Sequence, residues 1–272
     1  MDPVVLIAVL FIIAFVSEYV DSSLGMGYGT TLTPLLLIMG YNPLVVVPAI
    51  LVSELITGGL AAFMHHREGN VQFDFRNDPD HRLVRKMKLL GYIPRSNASK
   101  IALVLGLCSL LGAITAVFIA INIPKFYLKL FIGIMVFSMG VLILLKRNTK
   151  PKFSWKKIVG LGVLAAFNKG LSGGGYGPLV TSGQILSGVE SKNSVAITSL
   201  AESFTCFVGV CTFLFLGTQF DWNITLPLLA GAVASVPFST KTVKKLKPRN
   251  FTITVGIATV VLGLFTLYKV IF

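Results

Sequence analysis

Four acidic side chains and one lysine are embedded in apolar surroundings of this chain: Glu18, Asp21, Glu54, Glu202 and Lys169. An ionisable group inside an apolar span is a functional candidate, because burying it is costly. Glu54 and Glu202 lie 148 residues apart, and so do Asp21 and Lys169. Next to them the chain breaks its own backbone twice, in "SSLGMGYGT" at 22–30 and "GLSGGGYGP" at 170–178. Glycine permits positive φ and lets another group approach the backbone closely. A helix that starts after such a break offers unpaired N–H groups and the positive end of its dipole. Two such ends could hold one small anion between them. The candidate ligands are Gly25, Gly27, Tyr28, Gly29 and Thr30 in the first break. In the second they are Ser172, Gly173, Gly174, Gly175, Tyr176 and Gly177, with Lys169 beside them. Glu54, Glu202 and Asp21 then carry a coupling proton or brace the glycine loops. Lys169 either attracts the anion or forms an ion pair with Asp21, and the pair is slightly favoured.

The elements that must position these groups are membrane helices. Of the 272 residues 54% are hydrophobic and only 13% charged, with a mean hydropathy of +0.81. Soluble domains carry about 25% charged residues. Runs such as "MDPVVLIAVLFIIAFV" and "YLKLFIGIMVFSMGVLILL" approach the length of about 20 residues that spans a bilayer. The first is read as a retained helix, since it has Asp2 and no basic leader. Alternating ten-residue strands of a membrane barrel are absent from the sequence.

The two breaks belong to a duplication. At an offset of 148, nine identities fall within residues 20–57, from Gly25 on Gly173 to Thr57 on Thr205. Gly133 and Gly140 pair with Gly256 and Gly263 at an offset of 123. The expected fold is an all-α integral membrane protein of two inverted repeats, residues 1–147 and 148–272, in one membrane domain. Each repeat has a Gly-broken, re-entrant-like helix hairpin followed by three transmembrane helices. The helices are expected near 3–21, 29–39, 44–64, 100–121 and 126–146, then 157–169, 177–187, 193–216, 223–240 and 250–271. A short arm of 11 residues reaches only about 16 Å, so the breaks should lie at membrane depth.

Net charge is +13, and 19 of the 24 Lys and Arg residues fall in segments 65–100, 146–157 and 241–249. Placed on the cytoplasmic side, all three obey the positive-inside rule. The charge therefore needs no nucleic acid to explain it. His65, His66 and His81 are read as solvated residues of the first basic loop, 65–98. Cys108, Cys206 and Cys211 are read as small buried fillers, without disulfide or metal-ligand spacing. No cofactor and no metal is expected, no HExxH or GxSxG marks an enzyme, and no P-loop marks a nucleotide site.

The patterns "GxGYG…P…G" at Gly25–Gly40 and "SGGGYGP…G" at Ser172–Gly188, with the duplicated layout and the basic central loop, resemble the TauE/SafE family. These are the sulfite exporters, also called the toluene sulfonate uptake permease family. The likeness extends over essentially the whole chain, apart from Thr30 where the second repeat has Pro178 and the unmatched loop 65–98. It implies a multi-pass permease of the cytoplasmic membrane for a small anion, often a sulfur compound such as sulfite or a sulfonate. The expected activity is secondary transport by alternating access. A passive anion channel, or an uptake permease for a small carboxylate or sulfonate, stays open, as do proton coupling and oligomeric state. The expected partners are a small anion and the lipid bilayer.

Overall fold

The computed structural model describes residues 3–77, 92–120, 125–145, 152–172, 175–215, 217 and 219–271. Its first half runs α1 (Pro3–Leu24), α2 (Tyr28–Ile38), α3 (Pro43–Arg67), β1 (Phe75–Asn77), β2 (Tyr92–Pro94), α4 (Asn97–Ala120) and α5 (Lys125–Leu145). Then come α6 (Trp155–Ser172), α7 (Tyr176–Leu186), α8 (Ser191–Phe215), α9 (Trp222–Lys245) and α10 (Pro248–Ile271). Among the described residues, five helices are long and apolar enough to cross a membrane: α1, α3, α8, α9 and α10. The protein is thus an all-α membrane protein, apart from one two-stranded antiparallel ladder that pairs Phe75 with Pro94.

The apolar runs become helices because a helix satisfies its own backbone where lipid cannot. Their ends follow local chemistry. Asp221 caps α9 by accepting the Asn223 N–H at 3.0 Å. The short helices α2 and α7 each have 11 residues and are followed by Gly40 and Gly188, at φ +91° and +90°. These two glycines stand 148 residues apart and share the same backbone conformation.

The helices pack in pairs: α1 on α9, α4 on α6, α3 on α9, α4 on α8, α3 on α8 and α5 on α10. Exchanging the two halves element for element leaves this set of pairs unchanged. The α5–α10 seam is antiparallel and built on small residues, which let membrane helices approach closely. A Cβ added at Gly133 would lie 2.8 Å from Leu267, and one at Gly256 would lie 2.8 Å from Leu144. Gly140 faces Val260 and Gly263 faces Phe137 in the same manner. Helices α3 and α8 also cross antiparallel, with the Ser203 hydroxyl donating to the Leu55 carbonyl at 2.7 Å and Leu51 against Gly209.

Two expectations need correction. His65 is not a solvated loop residue: α3 continues to Arg67, and His65 is buried with Nε2 2.9 Å from the Ser22 carbonyl. Asn70 locks that ring in place, 3.0 Å from its Nδ1, while donating to the Thr240 carbonyl at 2.9 Å. The basic segment 241–249 is in large part the last turn of α9, where Lys244 pairs with Glu68 at 3.0 Å. His66 is exposed at the end of α3. His81 and much of the basic loop lie outside the described residues.

Candidate functional site

Both breaks arrive at one place. The segment from Gly25 to Tyr28 is buried, with Met26 and Tyr28 inaccessible to solvent, and the Gly25 carbonyl accepts from Thr181 of α7 at 2.7 Å. A Cβ on Gly177 would stand 2.5 Å from that same carbonyl oxygen, so only glycine lets the two chains cross this closely. Gly27 and Gly175, 148 residues apart, immediately precede α2 and α7 with φ +133° and +78°. The helices start at Tyr28 and Tyr176, one residue before the starts at 29 and 177 expected from the sequence. Their N-terminal ends face a narrow polar crevice, too tight to admit a water molecule. Asp21, Gly27, Tyr28, Gly29, Thr30, Glu54, Gly175, Gly177, Pro178 and Glu202 line it. Gly173 and Gly174 lie outside the described residues, as does the side chain of Ser172.

The charged groups meet differently from the favoured expectation. Lys169 does not pair with Asp21. Its ammonium donates to Glu54 Oε2 and to Glu202 Oε1, both at 2.5 Å. All three residues are buried, with Lys169 only 3% exposed. A lone buried charge would be severely destabilising, and a three-member ion cluster is how this bundle tolerates it. Asp21 turns instead toward its own break, where its Oδ1 accepts the Tyr28 N–H at 3.3 Å. Glu54 also braces that break, since its Oε1 accepts the Gly29 N–H at 3.2 Å. Two of the orphan N–H groups at the start of α2 are therefore taken by the protein's own carboxyl groups.

Around this core lies a polar shell. Tyr28 shares a 2.7 Å hydrogen bond with Ser53. Glu18 accepts from Ser22 at 2.5 Å and from Thr57 at 3.2 Å. Gln184 donates to Thr198 at 2.8 Å, and Thr198 accepts from Thr181. Tyr176 is fully buried beneath the second break. Cys206 is more than filler: its thiol donates to Glu54 Oε2 at 3.4 Å. Its separation of four residues from Glu202 was the available signal, because i and i+4 share a helix face.

A family model described as "Sulfite exporter TauE/SafE" matches residues 10–76 and 87–266 of the chain. The chain is also 28% identical, over 261 residues, to a protein of Bacillus subtilis (strain 168) named "Probable membrane transporter protein YtnM". That match covers 91% of this chain and 79% of the relative.

Proposed function

The chain belongs to the TauE/SafE family of membrane transporters, and on that premise we propose that it is a secondary carrier for a small anion, with sulfite or an organosulfur anion as the substrate class. The observation that carries this reading is the convergence of two glycine breaks and two helix N-terminal ends on a single crevice, two of whose lining carboxylates hold one buried lysine. Backbone N–H groups at a helix start suit a small oxyanion, because donors and dipole point the same way. Gly27, Tyr28, Gly29 and Thr30 line one wall, and Gly175, Gly177 and Pro178 the other. Lys169 supplies the formal positive charge.

The carrier reading has two further supports. A crevice too tight for water is not an open polar lane, which favours a carrier over a standing channel. The antiparallel α5–α10 and α3–α8 seams, unchanged when the halves are exchanged, are those expected of two inverted repeats, residues 1–147 and 148–272. Such repeats are a common basis of alternating access. The positive-inside pattern of the basic segments supports a reading with loop 65–98 and the end of α9 in the cytoplasm, and with the protein in the cytoplasmic membrane. Flux of radiolabelled sulfite from proteoliposomes tests the reading. Sulfite on the far side should accelerate exchange, as in a carrier, whereas a channel shows no such acceleration.

A further inference from the structure

The groups best suited to hold an anion in this crevice are already holding one. Glu54 spans them: Oε1 takes the Gly29 N–H at 3.2 Å, and Oε2 takes the Lys169 ammonium at 2.5 Å. A carboxylate in that position is chemically similar to the oxyanion proposed as substrate: planar rather than pyramidal or tetrahedral, but negative and acceptor-only. From this geometry we infer that the Glu54 carboxylate is a tethered competitor occupying the substrate's ligands, so that an anion binds only when Glu54 takes up a proton and lets go of Gly29 and Lys169.

The inference rests on the anion-carrier reading and adds its coupling. Three features of the site fit it. First, the crevice has no spare room, so an incoming oxyanion and the Glu54 carboxylate cannot share it. Second, the charge count opposes simple addition. The crevice is lined by the carboxyl groups of Asp21, Glu54 and Glu202, with Lys169 the one ammonium in contact with them among the described residues. Another negative charge there meets repulsion unless a carboxylate is neutralised as it arrives. Third, Lys169 remains anchored by Glu202 when Glu54 leaves, so the ammonium stays in place to receive the substrate.

Every element packed around Glu54 contributes to its surroundings. Helix α1 brings Glu18 and Asp21, α2 brings Tyr28, α6 brings Lys169, and α8 brings Glu202 and Cys206. Helix α9 also packs on α3, but its charged residues Asp221, Lys241, Lys244 and Lys245 cap it or sit in its last turns. Among these groups only Glu54 touches both Lys169 and an N–H of the first break. Glu202, its repeat equivalent, holds the lysine, and Asp21 holds Tyr28. The proton and the anion therefore enter as a pair, one of each. For a monovalent anion this carries no net charge to the midplane.

The test uses the purified full-length protein with sulfate and methanesulfonate, which keep a fixed charge around neutral pH. Calorimetry in buffers of different ionisation enthalpy counts protons taken up per anion, with one expected. Affinity should then rise about tenfold for each unit that pH falls while Glu54 is ionised. Infrared difference spectra supply a reading that needs no variant at Glu54. The Cys206 thiol donates to Glu54 Oε2, so its S–H stretch should shift when anion is added. Cys206→Ala assigns that band. In Glu54→Gln, proton uptake should disappear and affinity should become pH-independent at the acid-side value of the parent. Anion binding without proton uptake overturns the inference while leaving the anion site intact. So does proton uptake with an unmoved Cys206 band. Failure of both anions to bind parent and Glu54→Gln alike overturns the anion site itself, and the inference with it.

Discussion

Glu54 Oε2 lies 2.5 Å from the ammonium of Lys169, a residue 115 positions further along the chain. That contact ties the first half of the molecule to the second at the level of the crevice, and Glu202 completes it from α8.

Lys169→Met should destabilise the protein by about 3–5 kcal/mol, because it strands two buried carboxylates. Thermal unfolding in detergent reads this directly. Combining it with Glu54→Gln and Glu202→Gln should recover much of the loss, while adding Asp21→Asn should recover little. Recovery by Asp21→Asn in place of the glutamate changes would contradict the observed pairing.

Gly177→Ala places a methyl 2.5 Å from the Gly25 carbonyl oxygen. Pushing the two breaks apart should cost about 1–3 kcal/mol as overpacking. Anion flux should be abolished while the long helices still insert. Gly160→Ala is the matched control: nothing lies within 4 Å of its added methyl. Its flux should match the parent. Equal flux in both variants would mean that the crossing of the breaks is irrelevant to transport.

Asn70→Ala removes the donor to Thr240 and the partner of His65, both buried. The expected cost is about 1–3 kcal/mol. It should appear as a lower Tm with unchanged charge requirements for flux. An unaltered Tm would show that the end of α3 is not fastened by this residue.

Cysteines introduced at Arg76 and Lys245, in a Cys211→Ala background, should react with an impermeant maleimide from the same side of the membrane. A cysteine at Gln219 should react from the opposite side. All three positions are exposed. Labelling of the first two from opposite faces would refute the proposed topology.

Much of the fold was legible because the signals were local. Apolar runs located each long helix to within a few residues, α9 excepted, and the glycines at 25–29 and 175–177 located the breaks. The charge pairing was not legible. Asp21 and Lys169 are repeat equivalents, which suggested that they meet across the symmetry axis. Instead each faces its own surroundings: Asp21 takes Tyr28, while the two glutamates take the lysine. Which of several acidic groups wins depends on helix rotation, which residue spacing leaves undetermined. His65 was misplaced for a related reason. It begins a polar stretch, yet α3 continues through it, and Ser22 and Asn70 bury it by contacts far apart in sequence. The ladder of β1 and β2 has three residues per strand, too few for an alternating pattern to register.

The α5–α10 seam has a consequence of its own. Gly133 against Leu267 and Gly256 against Leu144 are the same contact made twice, as are Gly140 against Val260 and Gly263 against Phe137. This is an isologous interface, self-complementary in the way that homodimer contacts are. A half-length chain bearing it could pair with an upside-down copy of itself, provided its loops carried too little positive charge to fix one orientation. Joining the copies into one polypeptide removes that restriction. Arginines and lysines can then accumulate in one segment without disturbing how the other half inserts.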